Sequence, residues 1–358
     1  MTSGRSASAG RPSSFPELRA LLALGGRRSR VVAFHRGRPL LDEQVRTADD
    51  DLFWTYSVSK LLTTVVIERL AERGELRLDA PIADAWPGFG AHGKQALTAR
   101  DVLRHRTGMP LAGSSLGDAL TMASWDRMTR RIERARPRLD PTHGPAYQWL
   151  VFGFVLGEWA ARITGESWES LLRTELLERV PTHGLLPRLD GSSLARAVPV
   201  RSVVADRITP AYLNSARVRT ALIPSAGVSA TADGLAALGQ VLLDDMVRGT
   251  GVLLTPSTLE RMATPTDRGQ RDQWGRIFTR WGEGVQLGSP RNDGSPSGLG
   301  DLTSARTIGH DGSGSAVVWL DPERELVVAV TTDLLTRSGT SWLTRVSDAV
   351  VQLAGAAD

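Results

Sequence analysis

The segment that most limits what this chain can fold into lies near its end. Ser315-Ala316-Val317-Val318-Trp319-Leu320 and Glu325-Leu326-Val327-Val328-Ala329-Val330-Thr331-Thr332 are apolar, β-branched runs separated by Asp321-Pro322-Glu323-Arg324. Two such runs around a turn-forming tetrapeptide specify a β-hairpin. A lone hairpin is barely stable in water, so its strands need partners. Near the other end, Arg30-Val31-Val32-Ala33-Phe34-His35, then Arg36-Gly37-Arg38 and Pro39-Leu40-Leu41, predicts a second hairpin. From about Asp79 to Asp244 the pattern is mostly helical, punctuated at Pro81, Pro87-Gly88 and Gly108-Met109-Pro110. Strands at both ends around a helical block imply an α+β fold: an antiparallel sheet built from N- and C-terminal segments, with flanking helices and a mostly helical lobe. The expected bounds are sheet strands within 30–56 and 305–335, a helical lobe over about 80–245 and a terminal helix over 341–354. All belong to one domain over 15–358. The Ser-, Pro- and Gly-rich stretch from Gly288 to Gly300 is a loop that could border a pocket.

Composition narrows the function classes. With 358 residues the chain is long enough for one large domain or two interleaved lobes. It has no cysteine, which removes disulfides, thiolate metal sites and a cysteine nucleophile. Basic residues number 43 and acidic ones 39, a net charge of +4, so a nucleic-acid partner is poorly supported. No apolar run reaches the ~18 residues of a membrane span. Met1 to Ser14, rich in Ser, Gly and Arg, is expected to be a disordered tail. Leu18 to Leu24 is broken by charge and makes a poor signal peptide, which points to a cytoplasmic protein. The six histidines show no paired ligand spacing, so neither metal nor cofactor is expected.

Chemistry enters at Ser57-Val58-Ser59-Lys60. The chain has only two lysines, Lys60 and Lys94, among many arginines. Phe53 to Tyr56 ends an extended segment, and Leu61 to Leu70 reads as a buried helix closed by Gly74. A serine in the first turn lies near free backbone N–H groups, and a lysine three positions on projects from the same face. Serine needs a base to become a nucleophile, and a lysine serves only if burial or a nearby cation lowers its pKa. Arginine cannot. The alternative is a helix-capping serine followed by a solvent-facing lysine. Tyr147, one of three tyrosines, stands just before a helix beginning at Val151, where it could reach Ser57 and Lys60. A neighbouring ammonium would then lower its phenol pKa and let it shuttle a proton. A tyrosine packed under a loop is the plainer account. Gly309-His310-Asp311-Gly312-Ser313-Gly314-Ser315, entering the last hairpin, allows close backbone approach to a ligand, although such stretches are often only turns.

In this order the elements resemble the serine β-lactamase and penicillin-binding-protein-like superfamily, particularly class C β-lactamases and family VIII esterases. The resemblance runs from about residue 30 to 335. It includes Gly74 to Ile82, Leu97 to Pro110 (similar to the family's "LLtHtSGlp" stretch), Ser225 to Leu235, Trp274-Gly275 and Trp281-Gly282-Glu283-Gly284. It implies a catalytic domain in which Ser57 is the acylated nucleophile, Lys60 its base partner and Tyr147 the tyrosine of a Tyr-x-Asn motif. The N–H groups of Ser57 and Ser313 would form the oxyanion hole, and His310-Asp311-Gly312 would stand where β-lactamases carry Lys-Thr-Gly. His105 would be a hydrogen-bonded core residue. Two departures matter. Trp149 replaces the motif's asparagine, and His310 replaces the lysine that receives a substrate carboxylate. Trp149, His310, Asp311 and Gly312 are therefore expected to bind substrate, with Trp54, Trp149, Trp274 and Trp281 as candidates for an apolar pocket lining. The implied activity is acyl transfer through a covalent Ser57 ester, from a small-molecule donor to water, an alcohol or an amine. The alternatives are a β-lactamase or D-aminopeptidase-type amide hydrolase and a catalytically silent binding protein.

Overall fold

The computed structural model describes residues 16–203, 210–266, 269–289 and 295–356. The expected tail over 1–14 and the centre of the Gly288–Gly300 loop lie outside the described residues. Six strands form the main sheet: β1 (Ser29–His35), β2 (Arg38–Val45), β3 (Gln286–Leu287), β4 (Ile308–Gly312), β5 (Ala316–Asp321) and β6 (Leu326–Thr332). Their order is β2-β1-β6-β5-β4-β3, and every neighbouring pair is antiparallel. The last hairpin, β5–β6, receives its partner from the first, with Ser29 opposite Thr332 and His35 opposite Leu326.

The fold is thus α+β, with the sheet shared between the two ends of the chain. Why β5 and β6 are apolar throughout follows from what covers them. Alternate side chains point to opposite faces, so both faces must be buried. Leu326, Val328 and Val330 face one cluster with Leu18 and Leu22 of helix α1 (Pro16–Ala23), and with Trp342, Leu343, Val346 and Val350 of the C-terminal helix (Gly339–Ala356). Val327 and Ala329 face the larger core, which includes helix α2 (Ser59–Glu72) and the helix Ala232–Arg248. Gly239 makes that second packing possible, because a Cβ there would fall 2.6 Å from Val327 Cγ1.

Beyond the sheet, α2 is buried on nearly every side, as its near-continuous apolar sequence requires. Helix α3 (Trp125–Arg134) packs on α4 (Val151–Thr164), and α4 in turn packs on α2. The region expected to be mostly helical is more broken than its periodicity suggests. It contains helices of four to seven residues, such as Ala99–Leu103 and Ser115–Thr121, and short strand pairings of Leu185–Leu186 with Ser229–Ala230. The edge strand β3 was not legible, since two residues beside Gly284 carry no pattern. Among the described residues no helix is long and apolar enough to cross a membrane.

Candidate active site

Ser57 sits in a single 3₁₀ turn, Tyr56–Val58, that runs directly into α2. Tyr56 holds a left-handed backbone conformation (φ 49°), which is strained for a side chain of that size. Neighbouring backbone fixes the turn. Thr55 donates its N–H and its hydroxyl to the Val228 carbonyl at 3.0 and 2.8 Å. Ser59 donates to the Tyr56 carbonyl and accepts the Val228 N–H. From the sheet side, β4 comes so close that a Cβ on Gly312 would lie 2.0 Å from the Thr55 carbonyl oxygen. The glycine of the His310-Asp311-Gly312 stretch is thus a steric requirement of the approach between β4 and the Ser57 turn.

Three polar groups converge there. The Tyr147 hydroxyl lies 2.6 Å from Ser57 Oγ, and Lys60 Nζ lies 3.3 Å from it. The same Nζ donates to the carbonyls of Trp149 at 2.7 Å and Ser225 at 3.2 Å. Lys60 is completely buried, and desolvation pushes its pKa well below the ordinary lysine value, against a weaker opposing pull from Asp311. The second lysine shows the contrast. Lys94 Nζ is ringed by the carbonyls of Ala91, Glu133 and Ala135 at 2.5–2.9 Å, and it ties the loop after Pro87 to the end of α3. The two buried lysines therefore sit in different surroundings.

The phenol of Tyr147 behaves differently from expectation. Burial raises its pKa, outweighing the hydrogen bond to Ser57. No lowering by a neighbouring ammonium occurs, because the same burial disfavours the charged form of Lys60, which lies 4.9 Å from the Tyr147 ring centroid. Burial thus disfavours the charged form of both groups.

Tyr147 is held by residues that the motif gave no reason to single out. Asp272 Oδ2 accepts its backbone N–H at 2.6 Å, while Oδ1 accepts the N–H groups of Trp274 and Gly275. An Asp ahead of a Trp-Gly pair is an Asx-turn signal, although its link to Tyr147 is tertiary. The Tyr147 ring stacks on Trp281 (centroids 5.5 Å, 12° between planes), and His105 packs edge-on against both. His105 is buried and hydrogen-bonded to Gln148, as its expected core role requires.

The expected substrate residues divide. His310 lies on β4 two residues from Gly312, so its side chain projects on the face toward the Ser57 turn, with its ring 6.4 Å from that of Tyr147. Its Nδ1 is 2.7 Å from the Asp311 carbonyl, which can only accept, so Nδ1 carries the proton. Nε2 is then a bare lone pair, and it is buried with no hydrogen-bond partner among the described residues. Burial and Lys60 push the His310 pKa down to about 3. Asp311 projects to the other face, where its carboxylate accepts from Gln286 Nε2 at 2.9 Å and ties β4 to β3. Ser313, in a left-handed conformation (φ 52°), follows Gly312 at the turn into β5. Trp149 contributes its carbonyl to Lys60, and its half-buried ring packs against the core. Trp274 is exposed, Trp281 is buried behind Tyr147, and Trp54 is buried beneath the Arg219 guanidinium.

A serine on a strained turn, a desolvated lysine one helical turn on, a tyrosine from a second segment and an edge strand at the turn define a class. It is the family built on the β-lactamase and penicillin-binding-protein fold. Comparison with known proteins agrees. The beta-lactamase family profile matches residues 18–350, and the chain belongs to that family. Over 160 residues it is 38% identical to the esterase/beta-lactamase LipL of Mycobacterium tuberculosis, which covers 42% of this chain and 36% of that protein. The chain spans between about a third and two thirds of the curated relatives it matches. A penicillin-binding-protein homologue from Caulobacter crescentus superposes with a TM-score of 0.82 at 24% identity, covering 96% of this chain and 99% of that one. A family VIII carboxylesterase superposes with a TM-score of 0.78 at 20% identity, covering 95% and 98%.

Proposed function

We propose that the protein transfers acyl groups from small neutral esters through a covalent ester on Ser57, with water or a small alcohol or amine as acceptor. The observation that carries this reading is the surroundings of Lys60 Nζ. A neutral amine has two N–H donors and one lone pair. The carbonyls of Trp149 and Ser225 take the two donors. The lone pair is then left to accept the Ser57 hydroxyl proton across 3.3 Å.

As Oγ attacks the ester carbonyl, the proton passes to Lys60 and the carbonyl oxygen becomes an oxyanion. The N–H groups of Ser57 and Ser313 are the donors proposed to hold it. Collapse breaks the bond to the leaving alkoxide, which takes a proton from the Tyr147 hydroxyl. The Lys60 ammonium then returns a proton to the Tyr147 phenolate beside it, so the proton taken from Ser57 ends on the leaving alcohol. The acceptor then attacks the acyl-enzyme by the same steps in reverse. Tyr147 is suited to this because it stays a neutral donor until a stronger base forms beside it.

Preference for neutral donors follows from β4. A histidine held neutral supplies no positive charge for the carboxylate of a β-lactam or a D-peptide, whereas its bare Nε2 can accept a hydroxyl. The bulk of Trp149 replaces an amide that could have met a peptide. The test is intact-mass spectrometry of wild type and Ser57→Ala after brief exposure to p-nitrophenyl esters, with and without added alcohol or amine. A Ser57-dependent acyl adduct is expected, and faster discharge by alcohol or amine than by water would mark a transacylase. Absence of both adduct and p-nitrophenol release would leave a silent binding protein as the better account.

A further inference from the structure

Lined by none of the residues of the Ser57 site, a cleft of about 390 Å³ has Arg127, Arg130, Arg131 and Arg134 of α3 along one side. Ala112, Gly113 and Thr121 form the rest of its lining. The spacing of i, i+3, i+4 and i+7 places the four on one helical face. Like charges so placed repel, and a helix ordinarily relieves this with interleaved carboxylates. Asp126 and Glu133 lie on the same helix, but among the described residues neither forms an ion pair with the row. Arg131 alone is paired, to the buried Asp118 at 2.6 Å, whose other oxygen accepts the Ala112 N–H. Glu133, on the same helix, is turned inward and accepts the Trp86 indole N–H at 2.7 Å. Among the described residues Arg127, Arg130 and Arg134 form no ion pair and are exposed.

We propose that this cleft is a binding site for a small polyphosphate-type anion. Seven residues of helix extend about 10 Å, so the row matches an anion with several charged oxygens along its length better than a single carboxylate. The cavity is of a size that takes small ligands. Its floor is fixed: a Cβ on Gly113 or Gly117 would fall 2.2 or 2.3 Å from Arg131 Nη2, so small residues hold that guanidinium flat against the wall. Arg131 thus anchors the site, while the other three supply free donors. The inference does not depend on the reaction at Ser57.

The test is calorimetric titration of the full chain with sodium tripolyphosphate in phosphate-free buffer, at low and high salt. Saturable binding that weakens with salt is expected. The triple variant Arg127→Gln/Arg130→Gln/Arg134→Gln should bind at least about tenfold more weakly, since charge-assisted hydrogen bonds are lost. Arg131 is kept because removing it would leave Asp118 buried and unpaired. The single variants Arg127→Gln and Arg134→Gln, at the two ends of the row, should each weaken binding in part, and turnover of p-nitrophenyl esters should be unchanged in all three. Wild type that fails to saturate, or a triple variant that binds as well as wild type, overturns the proposal. Tighter binding of duplex DNA that tripolyphosphate cannot displace would overturn it in favour of nucleic acid.

Discussion

Gly312→Ala tests the geometry of the site without touching any group proposed to move a proton. The added methyl would start 2.0 Å from the Thr55 carbonyl oxygen and 3.2 Å from Tyr56 Cβ. Ordinary contact begins near 3.4 Å, so about 1.4 Å must be found by parting β4 from the Ser57 turn. Neither side yields readily. Thr55 is bonded twice to Val228, and β4 is paired along its length with β5. Overpacking of this kind costs about 1–3 kcal/mol of stability. The larger effect is expected on catalysis, because the displacement widens the gap between the N–H groups of Ser57 and Ser313. A misplacement of about 1 Å at a reacting centre costs roughly 100-fold in rate. The assay is kcat/KM for a p-nitrophenyl ester beside a urea unfolding curve. A fall near 100-fold with a folded protein is expected. Activity within a fewfold of wild type would show that the two donors do not act together, and the oxyanion-hole assignment would fail.

Three further outcomes follow. Lys60→Arg puts a side chain that cannot deprotonate at this place, so kcat for ester hydrolysis should fall by roughly 10²–10⁴-fold, and an active Lys60→Arg enzyme would exclude lysine as the base. Asp272→Ala frees the Tyr147 backbone, so kcat should drop more than KM changes, with partial recovery in Asp272→Asn; equal activity of all three would reduce Asp272 to loop packing. His310 is held near 3 in the folded chain but titrates near 6.5 when unfolded, so the unfolded state binds the extra proton in that window. Its contribution is present above pH 6.5 and is lost as pH falls, at up to ~1.4 kcal/mol per unit. His310→Phe should therefore flatten the acid limb of a plot of unfolding free energy against pH, and an unchanged slope would mean that His310 is not buried neutral.

Sequence disclosed the parts of the fold whose pattern is local. The β5–β6 hairpin announced itself because its burial on both faces is written into consecutive residues. Ser57 and Lys60 were legible because one helical turn fixes their relation, and Tyr147 because it stands at a recognisable helix entry. What stayed hidden is tertiary. Nothing near Trp149 or Ser225 in the sequence says that their carbonyls meet at Lys60, nor that Asp272 reaches back 125 residues to Tyr147. The direction of the Tyr147 pKa was misjudged for the same reason. A neighbouring lysine is legible in the sequence, but the burial that raises the phenol pKa and lowers that of the ammonium is not. Asp311 shows the limit of reading a motif as a unit, since strand alternation sends it to Gln286 while its neighbour His310 faces the site.

The pairing of β1 with β6 has a consequence for the order in which the molecule is made. Ser57 and Lys60 leave the ribosome early, yet β4, which closes against their turn, follows some 250 residues later. Until β6 emerges, the N-terminal hairpin has an open edge, and an unprotected edge invites pairing with another chain. Contacts this distant in sequence slow folding. At roughly 5–20 residues per second that interval lasts on the order of tens of seconds, during which the sheet is unfinished and the Ser57 turn lacks the Val228 and β4 backbone that fix it.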